Sequence, residues 1–80
     1  MKNLDVIKMF VNGETKGKTK NLYIEGNNLI NYTTIIAKRT SNGFKVNSTK
    51  YSQSTSTIQN ALKRELQGNY TEVDGKELNA

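Results

Sequence analysis

The chain contains no histidine, no cysteine and no tryptophan, and only seven carboxylates in 80 residues. Histidine and cysteine supply most groups that titrate near neutral pH and most soft metal ligands, so ordinary acid–base, thiol and zinc chemistry has little to work with. Their absence also removes the disulfide and zinc staples that hold many small domains together. Apolar residues are sparse as well, at 34%, against about 45–50% on a count that includes glycine. A chain of this length buries only about 60% of its unfolded surface. A thin, one-sided core is expected, completed by efficient packing or by a second copy of the chain in a homodimer. No long apolar run follows Met1-Lys2-Asn3-Leu4-Asp5, which predicts neither a signal peptide nor a membrane span. The expected setting is the cytoplasm, with no membrane partner.

What is present is positive charge, unevenly placed. Residues 1–69 hold eleven Lys/Arg against four carboxylates, or +7, and residues 70–80 hold Lys76 against Glu72, Asp74 and Glu77, or −2. A basic body with an acidic end suits a polyanionic partner, and it equally serves solubility.

Alternation of Ile7, Met9 and Val11 with Val6, Lys8 and Phe10 predicts a first strand over 6–11. The apolar-free stretch from Asn12 to Lys20 reads as a basic loop. Leu22 and Ile24 mark a second strand over 21–26, followed by Gly26-Asn27-Asn28 turn chemistry. Leu29 to Arg39 is rich in β-branched and aromatic residues and reads as one long third strand. Ser41-Asn42-Gly43 is a hairpin turn, and Phe44 to Tyr51 a fourth strand. The Ser/Thr run 52–57 then offers helix caps. Ser56 with Gln59 three residues on fits a capping box, in which each side chain satisfies an N–H at the helix start. Ile58, Ala61, Leu62 and Leu66 recur at helical spacing, Lys63 and Arg64 complement the helix dipole, and Gly68 is a stop. A helix over about 57–67 follows. The predicted fold is α+β: a four-stranded antiparallel meander backed by one C-terminal amphipathic helix in a single domain over 1–69, with 70–80 an acidic segment that reads as a flexible tail or a short extra strand.

No constellation supports catalysis. Glu14 with Glu25, and Asp74 with Glu77, lie in polar turns or the tail, without the contrasting environments that divide a carboxylate pair into acid and base. Glu72, Asp74 and Glu77 lack the dense acidic repetition of a calcium loop. Gly17-Lys18-Thr19 superficially matches a phosphate loop, but position 12 is Asn rather than Gly and a strand follows instead of a helix. No cofactor or metal is expected, and the chain reads as a non-enzyme.

The strongest functional pattern interleaves cations with aromatics. Lys16, Lys18 and Lys20 project from one loop, Lys38 and Arg39 end the third strand, and Lys45 and Lys50 flank the fourth. Tyr23, Tyr32 and Tyr51 lie among them. Cationic grooves with aromatic platforms bind single-stranded nucleic acid, although tyrosine also suits strands and lysine also protects sheet edges. No ribonucleoprotein signature or helix-turn-helix accompanies the pattern.

Four strands then one helix is similar in topology to compact single-stranded-DNA-binding transcription cofactors that dimerise through their helices. A second resemblance runs through Ile36-Ala37-Lys38-Arg39, Asn47-Ser48-Thr49-Lys50-Tyr51-Ser52, Ser54-Thr55-Ser56 and Gln59. These residues resemble a small domain of phages and their bacterial hosts, over about residues 8–66. Ile58 stands where that family has histidine. The family carries no activity to transfer. It implies a phage or mobile-element origin and favours a host-takeover or anti-defence role; taken with the basic-aromatic pattern, the leading expectation is an accessory protein that binds nucleic acid or a nucleoprotein complex. The alternative is an anti-defence, anti-CRISPR-like inhibitor that contacts a host defence protein directly.

Overall fold

The computed structural model describes residues 1–79. The order is α1 (Asn3–Val11), β1 (Leu22–Glu25), β2 (Asn28–Asn31), β3 (Thr34–Thr40), β4 (Gly43–Asn47), α2 (Gln53–Leu66), β5 (Thr71–Val73) and α3 (Gly75–Asn79). The α+β class stands. The predicted all-antiparallel four-stranded sheet with one helix becomes a mixed five-stranded sheet with three helices. Its strand order is β1-β2-β3-β4-β5, antiparallel except for the parallel β4–β5 pair. Among the described residues, no helix is long and apolar enough to cross a membrane.

The expected first strand is a helix. Val6, Ile7 and Phe10 are buried at the i, i+1, i+4 spacing of one helix face. Asp5 holds the start: its carboxylate accepts from the Lys2 backbone N–H at 2.9 Å, while its own N–H donates to the Lys2 carbonyl at 3.0 Å. A carboxylate there also faces the positive end of the helix dipole.

The expected long third strand is two strands. Tyr32 and Thr33 form a two-residue turn with Tyr32 at φ 58°, so Leu29–Arg39 folds back on itself. Leu29 pairs with Ala37 and Ile30 with Ile35, which makes Ile36 an extra residue on β3. This bulge lets Ile36 and Ala37, adjacent in sequence, both be fully buried.

One face of the sheet carries Leu22, Ile24, Leu29, Ile36, Ala37 and Val46 against Val6, Ile7 and Phe10 of α1 and Ile58, Leu62 and Leu66 of α2. Helix α2 starts four residues earlier than expected. Its cap is Ser52, whose side chain accepts from the Thr55 N–H at 3.3 Å, so Ser56 and Gln59 form no capping box. Gln59 is buried instead and donates to the carbonyls of Asn47 (2.8 Å) and Thr49 (3.1 Å). Thr55 donates to Asn31 Oδ1 at 2.7 Å, and Asn31 Nδ2 donates to the Asn21 carbonyl at 2.8 Å. These polar groups on the sheet-facing side of α2 are thereby satisfied.

Residues 71–79, expected as a tail or a short extra strand, form the strand β5 and also the helix α3; Ala80 lies outside the described residues. Lys45 and Asn47 alternate with the inward Val46, and α3 is tied to their side of the sheet. Glu77 pairs with Lys45 at 2.8 Å. Beyond the Ala37–Val46 pair, Asn79 takes over the pairing of β3: its Oδ1 accepts from the Ile35 N–H at 2.7 Å and its Nδ2 donates to the Ile35 carbonyl at 3.0 Å.

Candidate nucleic-acid interface

The lysine-rich segment is an extended edge beside β1. The Ile24 N–H donates to the Gly17 carbonyl at 2.9 Å and the Thr19 N–H to the Leu22 carbonyl at 2.7 Å, which places Lys18 directly across from Tyr23. Exposure alternates along this edge. Gly17 and Thr19 are half-buried, with Thr19 Oγ1 donating to Asn3 Oδ1 at 2.6 Å, while Lys16, Lys18 and Lys20 are exposed. Three ammonium groups therefore stand in solvent along one strip. None has a carboxylate within 4 Å among the described residues.

Tyr32 joins the far end of this strip. Its N–H donates to the Asn21 carbonyl at 2.9 Å, and its hydroxyl accepts from Asn21 Nδ2 at 3.4 Å, which sets the ring beside the residue that follows Lys20. The side chain is 59% exposed. Tyr23 is half-buried on the face away from α1 and α2, because its neighbours Leu22 and Ile24 point into the core. Lys38 is exposed on that same face, across from Asn28 of β2 and Lys45 of β4.

The remaining predicted site residues lie elsewhere. Arg39 alternates onto the core face, where Nη2 donates to the Gly26 carbonyl at 2.6 Å and Nη1 to the Phe10 carbonyl. Burial lowers its pKa from the usual guanidinium value; the group stays charged at any working pH. Lys45 is held by Glu77, as Lys63 is by Glu72 at 2.8 Å. Lys50 is exposed at the α2 approach. The Tyr51 hydroxyl accepts from Asn47 Nδ2 at 3.0 Å against α3. Of the residues in the sequence pattern, the structure thus brings together Lys16, Lys18, Lys20, Tyr23 and Tyr32, with Lys38 farther across the sheet. Asn21 and Thr19, which orient the strip, carried no sequence signal, since both act through partners brought near by folding.

A second concavity, of about 440 Å³, lies between α1 and α2. Leu4, Ile7, Ile58 and Ala61 form its apolar floor, and Arg64 is its sole charged lining residue.

Compared with known protein families, curated proteins and solved structures, the chain has no match in any of the three.

Proposed function

We propose that this protein is a small non-enzymatic accessory protein of phage or mobile-element type that binds nucleic acid, alone or in a nucleoprotein complex, through the Lys16–Lys20 edge. The observation that carries this reading is the strip itself: three exposed, unpaired ammonium groups on alternate residues of one edge, with Tyr23 across from the central one. Ammonium groups repeated on alternate residues present a row of positive charge to a phosphate backbone. Phosphate neutralisation releases counterions, so such binding weakens linearly with salt on a log–log scale.

The test replaces Lys16, Lys18 and Lys20 together with Gln, which leaves the core untouched. Affinity for every nucleic-acid sequence tested falls, and the salt slope becomes shallower by up to about 2–3. Unchanged affinity and slope overturn the assignment. The second reading, an anti-defence inhibitor working by protein contact, draws support from the α1–α2 groove, whose lining includes the exposed Leu4. Under that reading, a partner complex survives nuclease digestion and the triple variant retains it.

A further inference from the structure

Tyr32 occupies a position that the fold itself fills with glycine elsewhere. Gly26 and Tyr32 are each the first residue of a two-residue turn between adjacent antiparallel strands, and their φ angles are 61° and 58°. Left-handed backbone is free to glycine and strained for a residue with a Cβ, most of all a bulky one. Of the described residues other than glycine, only Tyr32 and Gln67 adopt it, and Gln67 sits at the end of α2, where that conformation is the usual helix termination. Burial does not repay the strain at Tyr32. Its ring is the most exposed aromatic, at 59%, and its one side-chain hydrogen bond is long, at 3.4 Å. A strained residue that returns so little to the fold points to use outside it.

Resting on the nucleic-acid reading above, we infer that Tyr32 is a stacking platform for an unpaired base, and that the ligand of this face is single-stranded nucleic acid, DNA or RNA, rather than duplex. The lysine strip holds the phosphates. The Asn21 contacts set the Tyr32 ring at the end of that strip, where the next base can turn out of the backbone path and lie on it. A duplex keeps its bases stacked on one another and offers no free face to such a ring. Base–aromatic stacking tolerates any base, so the site has little sequence preference.

The experiment compares wild type, Tyr32→Gly and Tyr32→Phe. The probes are oligothymidylate, oligouridylate, an abasic oligonucleotide of the same length and a DNA duplex. Tyr32→Gly relieves the strain, so its melting temperature rises, while its affinity for the two base-bearing strands falls roughly tenfold or more. Its affinity for the abasic strand is unchanged, and Tyr32→Phe binds like wild type. Equal loss of oligothymidylate and oligouridylate marks plain stacking; loss of only one narrows the ligand to strands of that base and sugar. A Tyr32→Gly variant that melts lower assigns the ring to the fold and overturns the inference. So does one that binds base-bearing strands as tightly as wild type while the lysine variant loses binding; the lysine reading then survives alone. A wild-type protein that binds none of the four probes overturns both.

Discussion

The Arg39 guanidinium carbon lies 4.6 Å from the centroid of the Phe10 ring and the same side chain donates to the Phe10 carbonyl, joining β3 to α1 through one residue. Its other terminal nitrogen donates to Gly26 in the β1–β2 turn. A planar fork does three things here that a single ammonium group cannot do together.

Arg39→Lys is therefore expected to destabilise the fold by about 1–2 kcal/mol, from the lost ring contact and one lost charge-assisted bond. Urea melts measure the loss. Nucleic-acid affinity stays the same, because Arg39 takes no part in the outer surface; a fall in affinity with unchanged stability would return it to the binding site.

The start of α2 gives a second expectation. Ser52→Ala removes the acceptor for the Thr55 N–H and costs about 1 kcal/mol. Ser56→Ala lies within the helix and changes stability by less than about 0.5 kcal/mol. If the two losses came out in the opposite order, the helix would begin where the Ser56–Gln59 spacing suggests.

A third concerns the junction of α3. A Cβ on Gly75 would overlap the Tyr51 hydroxyl and lie 3.0 Å from both Asn47 Nδ2 and Thr49 Oγ1. Gly75→Ala should destabilise by about 1–3 kcal/mol through overpacking. Removing the hydroxyl opens the closest contact, so Tyr51→Phe should be less damaging in the Gly75→Ala background than alone, with a coupling of about 1 kcal/mol. Additive losses in the double-mutant cycle would mean that the two residues do not meet.

Much of the fold was legible where one periodicity was present. Leu22 with Ile24, Phe44 with Val46, and Ile58 through Leu66 lie in the strands and helix that their spacing predicts. Val6–Val11 failed because its apolar residues satisfy a two-residue and a helical repeat at once, and the local mark of the helix start is a single residue, Asp5 in its first turn. The Tyr32–Thr33 turn failed because both residues favour strands and a left-handed φ leaves no mark in the sequence. The C-terminal segment carries little apolar side chain, and its order comes from Asn79, Gly75 and two carboxylates meeting residues far back in the chain. The same distance effect divides the candidate site. Lys16, Lys18 and Lys20 declare themselves by position. The removal of Arg39 and Lys45 from it depends on Phe10, Gly26 and Glu77.

The parallel β4–β5 pair has a consequence for how the molecule opens. The meander closes through two-residue turns, whereas β5 and α3 must reach back 25 residues from Val73 to Ser48 and 44 from Asn79 to Ile35. Closing longer loops takes more chain entropy, and this segment repays it with half-buried Val73 and Leu78 rather than with core. It is thus the natural first part to detach, as segments with little apolar burial are. When it does, Lys45 and Lys63 lose Glu77 and Glu72 together, and the anchored remainder of the chain becomes a more cationic body trailing its own acidic competitor. The 71–79 segment is in that sense a built-in counterion for Lys45 and Lys63, covalently kept at high local concentration.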